Sequence, residues 1–256
     1  MELYNYKAVI EYDGTDFFGF QSQPGEIRTV QGELLGVLNR IFSNEKISIS
    51  YSGRTDAGVH ATGQVINFKS RKLFELSRLK WSLNSLLPDD ISVRSMDFAE
   101  PDFDSRRSSI WREYNYYIVN DYYQSVFLKK YSLLLCRELD MGLMQKASGY
   151  FLGRHDFSAF CSPNDSNKSR IREIMELEII KTDDLHQKNM IIFRIRANAF
   201  LYNMARIIVG IITEIGSGSR DISDIELGFL NKGVNYSGSM ADAKGLFLSN
   251  VGYKVF

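Results

Sequence analysis

One pattern of elements occurs twice along this chain, and it narrows the fold more than any other feature. Residues 7–12 (KAVIEY) alternate in the manner of a half-buried strand. From Thr29, the run TVQGELLGVLNRIF places Val30, Leu34, Val37, Leu38 and Ile41 on one helical face, with Thr29 positioned as the N-cap. KISISYS (46–52) and QVINFKS (64–70) read as strands, separated by a loop rich in turn residues. LSRLKWSLNSLL (76–87) is a helix stopped by Pro88, and ISVRSMDF (91–98) is a fourth strand. The order β-α-β-β-α-β is that of the ferredoxin-like unit. It returns as a strand at 110–119, a helix at 141–152, strands at 171–180 and 190–198, and a strongly apolar helix at 199–216 ended by Gly216. A short helix, Ser223 to Leu230, precedes the last strand, GLFLSNVGYKVF. The expected class is α+β: two ferredoxin-like halves, 1–103 and 104–256, joined near Pro101 to Arg107. Their antiparallel sheets are expected to merge edge to edge around a central cleft, which would protect both edges.

Composition removes several function classes. The N-terminus has no apolar signal-peptide region, and no uncharged apolar run reaches the roughly 18 residues a membrane helix needs. The most apolar window, Phe200 to Ile215, carries Arg206 and helical periodicity, so it reads as a buried core helix in a cytoplasmic protein. Cys136 and Cys161 lack disulfide or zinc spacing, and His60, His155 and His186 are scattered. With 31 basic and 31 acidic side chains the net charge is zero, which weighs mildly against a nucleic-acid partner. The charges are uneven, however: Arg106, Arg107 and Arg112 lie close together, as do Lys168, Arg170 and Arg172, followed by Arg194 and Arg196. A basic groove on a neutral protein fits this distribution.

The loop Ser52-Gly53-Arg54-Thr55-Asp56-Ala57-Gly58-Val59-His60 holds the densest chemistry. Turn formation explains its glycines. It does not explain a carboxylate beside an arginine, an arrangement that keeps an acid ionised as nucleophile or base. No P-loop, GxGxxG fingerprint, Ser-His-Asp set or HExxH is present. GRTDAGVHA, followed by the strand from Gln64 to Phe68, closely resembles the signature of TruA-type tRNA pseudouridine synthases. Its companions occur in order: Tyr12-Asp13-Gly14-Thr15 with Gly19-Phe20-Gln21, Thr29-Val30-Gln31, Leu83-Asn84, Leu87-Pro88, Asp90-Ile91, His155-Asp156-Phe157-Ser158, Ala199-Phe200-Leu201 with Met204 and Arg206, and Gly245-Leu246. The resemblance spans essentially the whole chain.

That resemblance implies an enzyme that isomerises uridine in the tRNA anticodon stem-loop, at positions about 38 to 40, with no cofactor or metal, working as a homodimer. Asp56 would carry the chemistry, either attacking the sugar or acting as a base toward it. Tyr114, in the family's R-x-Y-x-Y strand, would stack on the extruded uracil or donate a proton near it. Arg206 would pair with Asp56, Arg54 would position a phosphate or the loop, and Leu246 would pack against the base. Arg106, within Phe103-Asp104-Ser105-Arg106, would enter the RNA and help displace the target base, and Phe103, Lys168 and Arg170 are further candidates for RNA contact. Three segments depart from the family pattern: Asp104 replaces a histidine, Ala241-Asp242-Ala243 replaces Ala-Pro-Ala, and Leu201-Tyr202-Asn203 lacks a common histidine. A noncatalytic RNA-binding protein is the main rival reading, but the RNP1 pattern is missing from both halves. An enzyme acting on ribosomal RNA is a further one, prompted by Asp104.

Overall fold

A computed structural model of the chain describes residues 3–25, 27–43, 45–231 and 234–254. It forms two compact units: one runs to Ile110 and resumes from Phe247, the other is Trp111–Leu246.

The first unit contains β1 (Tyr4–Tyr12), α1 (Val30–Ile41), β2 (Ile49–Tyr51), β3 (His60–Ser70), α2 (Leu76–Leu86) and β4 (Ile91–Ala99). Thr29 caps α1, its hydroxyl accepting the Gly32 amide, as the sequence predicts. Glu75 caps α2 through the amides of Ser77 and Arg78, and Leu87 is extended ahead of Pro88. β1 pairs antiparallel with β3 on one side and β4 on the other, and β2 pairs antiparallel with β3. The order 4-1-3-2 is that of the ferredoxin-like sheet. The last strand, β10 (Leu246–Tyr253), runs parallel to β3 at Phe247↔His60 and Leu248↔Ala61. Its approach explains Gly63, where a Cβ would run into the Ser249 carbonyl. Tyr6, Ala8, Ile10 and Tyr12 supply the buried face of β1, and the Tyr6 ring stacks on Phe68 at 5.1 Å with Phe42 edge-on.

The second unit holds most of β5 (Ser109–Val119), then β6 (Leu133–Leu134), α3 (Met141–Gly149), β7 (Gly153–Asp156), β8 (Ile171–Thr182), β9 (Met190–Ala197), α4 (Met204–Gly216) and α5 (Ser223–Leu230). β5, β9, β8 and β7 follow one another as antiparallel neighbours, and β6 lies parallel beside β5. α4 is buried nearly all round, through Ile207, Ile208, Val209, Ile211, Ile212 and Ile215. Below it, Phe151, Phe157, Phe160 and Phe229 pack ring against ring.

Two sequence expectations shift here. α4 starts at Met204 rather than 199, because Asn203 takes the left-handed conformation (φ 62°) that asparagine tolerates and breaks the helical run. It ends at Gly216 as expected, and the left-handed residue beyond it is Gly218 (φ 72°), whose amide bonds to Ile215 while Ser219 reaches back to Glu214. Gly216 makes room for Met144 of α3. The strand expected at 46–52 is paired only over Ile49–Tyr51.

Candidate active site

Asp56 lies in the loop between β2 and β3, half-buried, with Arg54 exposed and Thr55 buried beside it. The loop's backbone is tied to the segment after β1 at several points. The Phe20 amide donates to the Thr55 carbonyl (3.0 Å), the Gly58 amide to the Phe17 carbonyl (3.3 Å), and the Val59 amide closes onto the Asp56 carbonyl (3.1 Å). Two glycines make this contact possible. A Cβ on Gly14 would strike the Val59 carbonyl, and one on Gly19 (φ 91°) would sit 2.8 Å from the Thr55 oxygen. The Tyr-Asp-Gly-Thr and Gly-Phe-Gln segments are therefore the seat of the Asp56 loop.

Side chains complete the seat. Gln64, fully buried on β3, accepts from the Ser52 hydroxyl (2.6 Å) and the Gly53 amide (3.3 Å) and donates to the Gly53 carbonyl (2.7 Å). Tyr12 Oη lies 2.7 Å from Thr55 Oγ1. His60 is buried, its Nδ1 accepting the Gly14 amide at 2.9 Å with Asp13 Oδ1 at 3.2 Å, and its ring stacks on Phe247. Sequence reasoning quoted Tyr12 and Gln64 within motifs but gave them no role in the site. The signal for one is a polar atom on the inward face of an otherwise apolar strand, which demands a buried partner.

In the same unit Arg106 is exposed on a tight turn that Asp104 builds. The Asp104 carboxylate accepts the amides of Arg106 (3.0 Å) and Arg107 (2.8 Å) and the Ser50 hydroxyl (2.7 Å). Burial alone would raise this carboxyl. The Ser50 hydroxyl, the two amides and the Arg107 charge outweigh it and hold the group below the usual carboxylate range. The Ser105 amide donates to Asn67 and its carbonyl accepts Tyr253 Oη, while the Asn67 and Asn5 side chains both donate to the Phe103 carbonyl. Phe103 packs on the Tyr253 ring at 5.1 Å, with Lys7 above both. Burial pushes the Tyr51 hydroxyl up, and the charges of Arg54 and Arg106 act against that rise.

The second unit carries the other predicted residues. Tyr114 is buried on β5, edge-on to Phe200 at 4.8 Å. Tyr116, two residues along the same strand face, donates to the Asp242 carbonyl (2.8 Å) and packs so closely on Gly245 that a Cβ there would lie 2.6 Å from its ring. It therefore seats the segment ending in Leu246, which is buried. Arg206, on α4, donates through Nε to the Ala241 carbonyl (2.7 Å) and through Nη1 to Asn203 Oδ1 (3.3 Å), and the Ala241 amide returns to the Arg206 carbonyl. The Asp242 carboxylate accepts the Lys244 amide, so it turns the chain where proline is usual. Lys168 is exposed, and Arg170 is half-buried with its guanidinium near Cys161 Sγ (3.7 Å). Arg194 and Arg196 do not join them. Arg194 pairs with Glu178 at 3.0 Å, and Arg196 with Glu113 at 2.6 Å and Glu176 at 2.7 Å, in rows across the sheet. Among the described residues, no group of three or more His, Cys, Asp or Glu side chains could hold a metal ion, and no helix is long and apolar enough to cross a membrane.

Comparison with known proteins gives the family. The model of a tRNA pseudouridine synthase family matches residues 8–106 and 147–254. A tRNA pseudouridine synthase A of Geobacillus sp. is 42% identical over 247 residues, covering 96% of this chain and 97% of its own. The protein of that name in Shouchella clausii is 40% identical, with 95% and 91% covered, and that of Geobacillus kaustophilus 42%, with 97% and 94%. The family match takes in the Asp56 loop and its seat, the relatives cover nearly the whole chain, and the chain belongs to the tRNA pseudouridine synthase family.

Proposed function

We propose that this chain converts uridine to pseudouridine in the tRNA anticodon stem-loop, at positions about 38 to 40, with Asp56 as the nucleophile and no cofactor. The observation that carries the reading is the Asp56 loop itself. Its backbone is fixed on both sides of the aspartate by β3 and the segment between β1 and α1, while Asp56 itself is only half-buried. Such rigidity suits a group that must meet one atom of a flexible substrate.

In the reaction the N1–C1′ bond breaks, the uracil turns over, and a C5–C1′ bond forms. C5 gives up a proton and N1 takes one, so the product is an isomer and nothing is consumed. Asp56 supplies the carboxylate that engages the nucleoside once the base has left its stack. Tyr114 stacks on the extruded uracil or donates a proton beside it, Leu246 packs against the base, and Arg206 pairs with Asp56 and keeps it ionised. Arg54 and Arg106, both exposed and both acting on the charge of Tyr51, meet the phosphates near the target nucleotide. Phe103, Lys168 and Arg170 extend the RNA contact. The enzyme acts in the cytoplasm as a homodimer, so that two copies of a neutral chain contribute to one tRNA.

The test is nucleotide-resolved mapping of pseudouridine in unmodified tRNA transcripts treated with wild type or Asp56→Ala. Wild type is expected to modify the anticodon stem-loop, and the variant to bind the same transcript without reacting. An active Asp56→Ala would reject the nucleophile. A wild type that leaves tRNA untouched would reject the substrate.

A further inference from the structure

Thr55 stands immediately before Asp56, and its hydroxyl is buried against that of Tyr12, the last residue of β1. We propose that Tyr12 is a positioning residue for the isomerisation: its contact with Thr55 fixes the direction in which Asp56 presents its carboxylate. The inference rests on Asp56 being the nucleophile.

Three features of the first unit converge on it. Tyr12 is a rigid reference point, because its strand is paired on both sides, to Ala61 of β3 and Ile91 of β4. Its ring does the work of a phenylalanine, packing 6.0 Å from Phe20, so the core requires the ring and not the hydroxyl. A buried hydroxyl in that setting needs a partner, and Thr55 Oγ1 at 2.7 Å meets the need. The rest of the loop has its own ties: Gln64, which also meets the Tyr12 hydroxyl, clamps Ser52 and Gly53 upstream, and the Phe17 carbonyl holds Gly58 downstream. The Phe20 amide holds the Thr55 carbonyl and the Val59 amide the Asp56 carbonyl, and the Tyr12 hydroxyl adds a side-chain anchor on the residue next to Asp56. Burial also pushes the Tyr12 hydroxyl far above its ordinary value, so it stays protonated throughout the range in which carboxylates and histidines titrate.

The experiment compares steady-state kinetics on one tRNA transcript for wild type, Tyr12→Phe, Thr55→Val, Thr55→Ser and the double variant Tyr12→Phe/Thr55→Val. RNA affinity and thermal midpoint are followed in parallel. Tyr12→Phe and Thr55→Val are each expected to lower kcat about 10- to 100-fold, the effect of a displacement approaching 1 Å, while KM and RNA affinity stay within about twofold. The double variant should be no slower than the slower single one, and Thr55→Ser should recover most of the rate. A folded Tyr12→Phe with kcat within about twofold of wild type would overturn the proposal, as would losses that multiply in the double variant. If Tyr12→Phe does not fold, Thr55→Ala against Thr55→Ser reads the same contact through one hydroxyl, and equal rates would overturn it. Activity in Asp56→Ala would reject the nucleophile assignment. An inert Asp56→Ala beside an undisturbed Tyr12→Phe would reject the positioning role alone.

Discussion

Asp104 shows how a single unexpected residue can be absorbed by its own backbone. In sequence it is an acid where a histidine is usual, beside an arginine expected to meet phosphates. In the structure both carboxylate oxygens are engaged, one by two successive amides and the other by Ser50. The charge that would repel RNA is the charge that forms the Arg106 turn. Because the folded carboxyl lies below its ordinary value, its contribution to stability is complete above the unfolded pKa of about 3.9 and is lost as pH falls through the folded value. Asp104→Ala should therefore cost about 1 kcal/mol at pH 7, in the range of a lost helix or turn cap. In denaturant titrations the gap from wild type should close below about pH 4. A gap of equal size at pH 3 and pH 7 would mean that the side chain's packing, not its ionised form, holds the turn.

At the scale of elements, the two close approaches of α4 separate rigid from yielding neighbours. Gly210 faces the Ser239 carbonyl, and a Cβ there would overlap backbone that has nowhere to go. Gly216 faces the Met144 side chain, whose rotamers can move aside. Gly210→Ala should cost about 3 kcal/mol or more, and Gly216→Ala about 1 kcal/mol or less, measured by equilibrium unfolding. Equal costs would show that the 239–241 segment shifts as readily as a methionine. The same contrast explains what could be read in advance. Periodicity and caps were enough for α1 with Thr29, for α2 before Pro88, and for α5 at Ser223–Leu230, because those signals are local. The start of α4 was not legible, since Ala199 to Leu201 continue its apolar run and only the backbone of Asn203 ends it. β7, Gly-Arg-His-Asp, has no alternation and is a strand only because β8 offers it an edge. In the site, Asp56 and Arg54 stood out through their motif, whereas the partners of Tyr12, Gln64 and Tyr116 lie 11 to 126 positions away, so their positions showed a buried polar atom but not what it meets.

Across the whole molecule the charge balance of 31 against 31 conceals a division of labour. Arg28 pairs with Asp90 and Glu33, Arg194 with Glu178, Arg196 with Glu113 and Glu176, and Arg220 with Glu214 and Asp224. These cations hold strands and helices in place, and their partners cancel them at a distance greater than the Debye length of about 8 Å at physiological salt. On the proposed reading, RNA affinity then falls to a small set of arginines and lysines in loops, Arg106, Lys168 and Arg170 among them. A protein that neutralises phosphates with few cations has a shallow dependence of log affinity on log salt, with each phosphate contact contributing about 0.7 to 0.9 to the slope. Lys168→Ala and Arg170→Ala should each weaken tRNA binding and lower the slope by about 1. Arg194→Ala, which removes an exposed ion pair worth at most about 1 kcal/mol of stability, should leave both affinity and slope unchanged. Binding measured from low to high salt for the three variants decides the matter. If Arg194→Ala lowers the slope as much as Lys168→Ala does, the sheet's arginine rows are part of the RNA surface, and the loops alone do not account for how a neutral chain holds a polyanion.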